Sequence, residues 1–280
     1  MKALLRTLIY NYCRRIPIQR GKYRLALWAF QNLRPAFPDF RRVPFGQSLH
    51  IEVDLTEFIQ SQIYYLGLYE YHLARYARTV MRPGEIFVDL GAHIGQYALL
   101  AAERGMEVHA FEPDRVSFAQ LQSNMELNQL SASLNCMAVA DYEGEAALYP
   151  IGGEENRNNS LRPVIPDSTR EIIVTPVTKL DIYFAHTQRR IGVIKADVEG
   201  AELSVLNGAC SVITQHRPIL ILEVADHLTR AFGYRPSDLE GLLSKLGYQL
   251  HMLDRDRLRP LSALGEVSYG NLVCLPPRHS

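Results

Sequence analysis

What most constrains this chain is a series of short apolar runs that each end on an acid. Residues 85–90 (EIFVDL) carry Asp89, 107–111 (EVHAF) run into Glu112, 134–140 into Asp141, and 191–196 (IGVIKA) into Asp197. Apolar residues at helical spacing lie between the runs, over 95–104, 114–128, 201–214 and 236–246, with a further run at 218–224 (PILILEV). Strands alternating with helices predict an α/β fold, a Rossmann-like and mostly parallel seven-stranded sheet with helices on both faces. The final runs, 248–253 and 271–275, have no helical signal between them, which predicts an antiparallel edge strand. Residues 145–151 and 171–177 read as extra strands around a polar loop, 152–170.

The first part of the chain reads differently. Helical patterns cover 1–35, with a second stretch at 23–33 around Trp28. Pro35, Pro38 and Pro44 suggest a linker, a short strand follows at 50–54, and a helix runs over 69–80 to Arg82-Pro83-Gly84. This divides the chain into a basic helical extension, 1–48, and an α/β domain, 49–280, with a polar insertion at 152–170. Through Arg42 there are ten Lys and Arg against one acid, Asp39; the whole chain is neutral, so the remainder carries −9. Three readings of that basic segment stay open: a cap on the domain's own acidic face, a peripheral contact with anionic lipid, or a dimer contact. Overall neutrality advertises no nucleic-acid partner. The four cysteines are widely spaced and form no zinc pattern, and the N-terminus has neither a spanning apolar run nor a clean cleavage site, so a cytoplasmic location is expected.

Ligands in open α/β sheets bind at the carboxyl ends of the strands. The first such end reads Asp89-Leu90-Gly91-Ala92-His93-Ile94-Gly95. Its glycines are spaced GxxxG, not the GxGxxG of a dinucleotide fold, and a carboxylate there suits a cation and repels a pyrophosphate. Glu112 is placed to accept hydrogen bonds from a ribose diol, and Asp141 to bond an adenine amino group. The plainer reading makes each acid a helix cap; three successive acids at one sheet edge argue against that.

The fourth strand and its exit, Lys195-Ala196-Asp197-Val198-Glu199-Gly200-Ala201-Glu202, follow DLGAHIG and FEP in the order seen in the FkbM-type methyltransferases. The chain resembles that family over about residues 65–276, further matches being Leu121 to Asn128 (LQSNMELN), Lys179-Leu180-Asp181, Val205 to Ala209 (VLNGA) and Asn271-Leu272-Val273. The resemblance implies a class I methyltransferase fold and S-adenosylmethionine as donor. It also implies O-methylation of a sugar, glycolipid or hydroxylated natural product, hence a small-molecule or glycan acceptor. His93 departs from the family's usual Asn, which opens a titrating role beside the blander one of a polar cofactor-loop group.

Methyl transfer to an alcohol requires alignment and a route for the hydroxyl proton. Lys195, Asp197 and Glu199 alternate along an extended segment and therefore share a side. Asp197 is the expected base or acceptor-orienting group, supported by Lys195 and Glu199. Two alternatives stand beside it: His227 as the base, or a Mg²⁺ held by Asp197, Glu199 and Glu223 that polarises acceptor oxygens. Glu202 suits a helix N-terminus. The loop 152–170 is either an acceptor lid or an ordinary surface loop, and Tyr64, Tyr65, Tyr69 and Tyr71 either frame a sugar or belong to the core. An NAD(P)-dependent oxidoreductase and a non-catalytic interaction module are the competing functions; Asp89 and the missing GxGxxG disfavour the first, the cluster of acids the second.

Overall fold

A computed structural model describes residues 1–16, 21–150, 159–163 and 172–277. Its main sheet has eight strands: β1 (Ile86–Leu90), β2 (Glu107–Phe111), β3 (Ser133–Asn135), β4 (Ile191–Ala196), β5 (Ile219–Ala225), β6 (Gln249–Asp254), β7 (Arg257–Pro260) and β8 (Tyr269–Leu275). Their order is β7-β6-β8-β5-β4-β1-β2-β3. β1 to β5 are mutually parallel where they pair, and β8 runs antiparallel to both β5 and β6. The last two expected strands, β6 and β8, pair antiparallel at one end of the sheet, with β8 wedged between β5 and β6. The edge is taken by β7, which folds back on β6 through a turn at Arg255 (φ 55°) and makes the eighth strand.

Alternation along the strands builds one core on each face. Ile86, Val88, Leu90, Leu220, Leu222 and Val224 enter one cluster, with the helices Glu202–Asn207, Cys210–His216 and Pro236–Lys245. Phe87, Val193 and Ile221 enter the other, with the helices Tyr71–Val80, Gln96–Glu103 and Arg115–Leu127. The same period places Asp89 and Lys195, cross-strand partners in register, on the second face among apolar neighbours.

Three further elements depart from the sequence reading. The run at 134–140 is not one strand: Ser133–Asn135 extends the main sheet, while Ala138–Val139 joins Ile173–Thr178, Gly144–Pro150 and Asn159–Ser160 in a separate four-stranded sheet. The proline-marked linker holds a strand, Phe40–Phe45, paired antiparallel with Leu49–Asp54, and this hairpin straddles residue 48. Pro44 is tolerated because a two-stranded ribbon has only edges. Asn124 and Asn128 hold the hairpin to the domain: Asn124 Oδ1 accepts the Glu52 N–H at 2.7 Å, and Asn128 Oδ1 accepts the His50 N–H at 2.8 Å. The segment 201–214 is two helices, broken at Gly208, where a Cβ would stand 2.0 Å from the Ala140 carbonyl oxygen.

The helices Lys2–Arg15 and Lys22–Leu33 pack Ile9, Cys13, Ala26, Ala29 and Leu33 against Tyr65 of the helix Phe58–Leu66. Arg6 pairs with Asp39 at 3.1 Å. Among the described residues, no helix is long and apolar enough to cross a membrane. Most of the loop 152–170 falls outside the described residues.

Candidate active site

The carboxyl ends of β1, β2, β4 and β5 open onto a cavity of about 300 Å³. β1 passes into its helix through two left-handed glycines, Gly91 (φ 74°) and Gly95 (φ 94°), with His93 (φ 50°) between them. The turn is tight because the chain is crowded: a Cβ on Gly91 would lie 1.9 Å from the Asp197 carbonyl oxygen, and one on Gly95 would lie 2.6 Å from Leu121 Cδ1. Gly91 and Ala92 both donate N–H bonds to the Phe111 carbonyl, at 3.0 Å each. Backbone approach of this kind is what glycine supplies at a ligand loop.

Glu112 lines the cavity and is 7% exposed. Its Oε2 accepts the His93 N–H at 2.7 Å and its Oε1 the Asp114 N–H at 2.9 Å, which fixes the carboxylate and leaves each oxygen a further lone pair. Burial pushes its pKa up to about 8, against those two amides. Around it stand Phe111, Pro113, Met137, Ala138 and Val139, an apolar slot of the kind a purine occupies. Asp141 is not in this slot. It is exposed, its Oδ1 accepts the Ser204 hydroxyl at 2.5 Å, and it faces a different cavity, because the chain leaves the main sheet at residue 138 and carries it past the ligand edge. Met137, Ala138 and Val139 take its place.

A second set of acids lies at the exits of β4 and β5. Lys195 is 3% exposed; it donates to Asp197 Oδ2 at 3.1 Å and sits 4.8 Å from the Tyr97 ring centroid. Burial would lower its pKa, but Asp197, Asp89 and Glu70 outweigh burial and raise it, so the ammonium stays charged. Asp197 is about a quarter exposed; burial favours its neutral form, and Lys195, then a hydrogen bond with Glu223, reverse that and lower its pKa. Burial and Asp197 push the Glu223 pKa up to about 11. The Tyr269 hydroxyl also donates to Glu223 Oε1.

Asp89 is fully buried behind this group, and burial raises its pKa to about 6 despite Lys195. It acts on the site through Lys195 and does not line the cavity. Lys195, Ala92 and Gly95 do not line it either, whereas Gly91, His93, Glu112, Asp197, Glu199, Glu223 and His227 do. His93 donates through its backbone to Glu112, while its Nε2 is buried without a hydrogen-bond partner, 3.9 Å from Glu57.

Glu199 reaches the cavity from a strained turn, with φ 52° followed by Gly200 at φ 100°. A left-handed non-glycine residue costs about 1–3 kcal/mol and persists only where its surroundings over-determine it. Here Ser160 Oγ donates to the Glu199 carbonyl at 2.8 Å, Tyr234 Oη to the Gly200 carbonyl at 2.9 Å, and the Gly200 N–H reaches Glu202 Oε1 at 3.2 Å. Glu202 therefore holds the Val198–Gly200 turn as well as opening a helix. Burial, then Asp197, raise the Glu199 pKa to about 8. Oxygens of Asp197, Glu199 and Glu223 all lie within 4.8 Å of one another.

One acid escaped the sequence reading. Glu70 precedes the helix Tyr71–Val80 with φ 47°, accepts Asn271 Nδ2 at 2.6 Å and Tyr97 Oη at 3.1 Å, and feels both Asp197 and Lys195. An isolated Glu at a helix start carries no signal of burial, and only the packing reveals it.

A doubly wound sheet with the antiparallel strand inserted beside β5, and a buried carboxylate fixed by two amides at the end of β2, fit the class I methyltransferase architecture. The sequence pattern of the Methyltransferase FkbM domain matches residues 89–250. The chain is 28% identical over 197 residues to the 31-O-demethyl-FK506 methyltransferase FkbM of Streptomyces tacrolimicus, covering 60% of this chain and 74% of that protein. It is 26% identical over 231 residues to methyltransferase sdnD of Sordaria araneosa, covering 71% and 85%. A crystal structure of an FkbM methyltransferase from Methylobacillus flagellatus KT superposes with TM-score 0.43 at 18% identity, covering 78% of this chain and 53% of that one. This chain belongs to the FkbM methyltransferase family and is an S-adenosylmethionine-dependent methyltransferase.

Proposed function

We propose that the protein transfers a methyl group to a hydroxyl oxygen, with Asp197 receiving the proton and S-adenosylmethionine seated against Gly91, His93 and Glu112. The cofactor supplies an activated methyl on a cationic sulfur, so the chain's own task is alignment and proton removal. The residues fit it: a glycine cradle that no Cβ could enter, a carboxylate fixed by two amides for the diol, and an excess of acid over base facing a cation.

The observation that carries this reading is the Asp197 carboxylate at the cavity, held by Lys195 Nζ at 3.1 Å with a Glu223 oxygen within 4.8 Å. Glu223, whose pKa burial and Asp197 raise, stands beside Asp197 to orient it, and Lys195 keeps Asp197 ionised. A carboxylate with a lowered pKa is a weak base, yet an alcohol oxygen becomes strongly acidic as its bond to the methyl carbon forms. The proton then passes to Asp197 as the carbon–sulfur bond breaks, and a stronger base is unnecessary. His227 lines the same cavity and takes no part in this route. The 31-O-demethyl-FK506 methyltransferase, by its name an enzyme acting on an oxygen, is in keeping with the assignment.

A second reading rests on the close approach of Asp197, Glu199 and Glu223. These three carboxylates are hard oxygen ligands suited to Mg²⁺, which would polarise the acceptor oxygen. One pair of variants separates the two. If Glu223 acts as a neutral donor, Glu223→Gln keeps turnover within several-fold of wild type, whereas Asp197→Asn loses roughly 100-fold or more. If the three acids hold a metal, both variants lose activity and chelation abolishes the wild type. Full turnover in Asp197→Asn would end both readings.

A further inference from the structure

The helix Lys2–Arg15 is apolar over a wider arc than it buries. At 3.6 residues per turn, Ile9 and Cys13 share one part of that arc, and both are buried in the cluster with Ala26, Ala29 and Tyr65. Leu4, Leu5, Leu8 and Tyr12 fall side by side on the adjoining part, which turns to solvent: they are 66%, 37%, 57% and 42% exposed. Single exposed leucines need no explanation, but a contiguous apolar stripe on a surface helix does. Its two ends are basic, with Lys2 at one and Arg15 at the other. Arg24 and Arg42 lie elsewhere on the extension, and all four cations are exposed with no ion-pair partner among the described residues.

We propose that this stripe docks the protein on an anionic phospholipid bilayer. Leu4, Leu5, Leu8 and Tyr12 enter the headgroup boundary, and Lys2, Arg15 and the rest of the basic extension meet the lipid phosphates. The helix lies in the plane of the interface, a mode that asks for an apolar face beside cations and not for a spanning length. Among the described residues no helix is long and apolar enough to cross a membrane.

Charge decides the partner. Residues 1–42 carry ten Lys and Arg against Asp39 alone. The fold itself employs some of them: Arg6 and Arg41 pair with Asp39, Arg14 donates to the Pro44 carbonyl and Lys22 to the Ile16 carbonyl. An apolar stripe alone would suit a second copy of the chain. An isologous contact, however, apposes the same patch on both partners and sets this surplus of cations against itself. An anionic bilayer takes both features at once, the apolar side chains below its phosphates and the cations among them. Binding of such a helix scales with both terms, the apolar area buried and the attraction to anionic lipid. The helix Phe58–Leu66 ties this surface to the chemistry. Its Tyr65 packs on the extension and its Ile59 lines the active-site cavity, so a docked molecule holds that cavity one helix away from the extension.

The test is cosedimentation of the full chain with vesicles of phosphatidylcholine alone, and of phosphatidylcholine mixed equally with phosphatidylglycerol, at low and high salt. The expected result is binding to the mixed vesicles only, weakened by salt. Leu4→Gln with Leu8→Gln, and separately Lys2→Gln with Arg15→Gln, should each weaken that binding roughly tenfold or more. All four side chains are exposed, so both double variants keep the wild-type melting temperature. Absence of binding to the mixed vesicles overturns the proposal, and equal binding to the two kinds of vesicle does so as well. Binding that the leucine variant leaves intact also overturns it, because the contact then lies elsewhere. A wild type that is dimeric in analytical ultracentrifugation, and that the leucine variant renders monomeric, assigns the stripe to a second copy and overturns it too.

Discussion

Glu202→Gln isolates what the buried acids cost the fold. Glu202 is 1% exposed, accepts the Val198 and Gly200 N–H groups, and lies 3.1 Å from Tyr234 Oη. Burial pushes its pKa to about 7 from an ordinary 4.5. A raised acid pKa means the folded state prefers the neutral form, so the associated stability is complete below pH 4.5 and is lost as pH rises through 7. At 1.36 kcal/mol per unit, the loss reaches about 3 kcal/mol, an upper bound. Glutamine keeps the contacts: its Oε1 still accepts the two amides, and its Nε2 donates to Tyr234 Oη, which in turn donates to the Gly200 carbonyl. The variant and wild type should therefore melt together at about pH 4, and at pH 8 the variant should melt higher by up to about 10 °C. Thermal unfolding followed by circular dichroism at the two pH values reads this directly. A variant that is destabilised equally at both, or a difference that shrinks with rising pH, refutes the reasoning.

Two further outcomes follow from the cofactor loop. Gly91→Ala combines a φ of 74° with a Cβ 1.9 Å from the Asp197 carbonyl oxygen, so it should cost about 2–5 kcal/mol of stability in urea unfolding and depress cofactor binding. Because Glu112 titrates near pH 8 and accepts best when ionised, S-adenosylhomocysteine affinity should rise between pH 7 and 9, by up to about tenfold per unit below the pKa. Calorimetry shows the rise in wild type and its loss in Glu112→Gln.

The sheet was legible because its signals are local. In β1, Ile86, Val88 and Leu90 alternate with Phe87 and Asp89, and the glycines that follow need no partner to announce a turn. Glu112 and Asp197 were legible for the same reason, each standing at the end of an apolar strand. Asp141 shares that pattern and still leaves the site, since whether residues 134–140 stay in one sheet depends on pairing with 173–178, far away in sequence. Pro44 disguised a strand because a proline is excluded only from the interior of a sheet, and nothing local reveals that Phe40–Phe45 is an edge. Charge coupling was the least visible. Lys195 reads in the sequence as a supporting group, but the influence of Glu70, Asp89 and Asp197 on it, and the raised pKa of Glu223, follow from four separate elements converging. The wedging of β8 between β5 and β6 also brings Tyr269 and Asn271 to a second cavity, of about 700 Å³, a consequence of topology and not of any motif.

The most direct test of the account is calorimetric titration of S-adenosylmethionine, with NAD as control, into wild type and Glu112→Gln at pH 8.5. The account predicts that S-adenosylmethionine binds and NAD does not, and that Glu112→Gln weakens binding about tenfold or more, the cost of a charge-assisted hydrogen bond to the diol. Equal affinity in wild type and variant, or binding of NAD in place of S-adenosylmethionine, would contradict it.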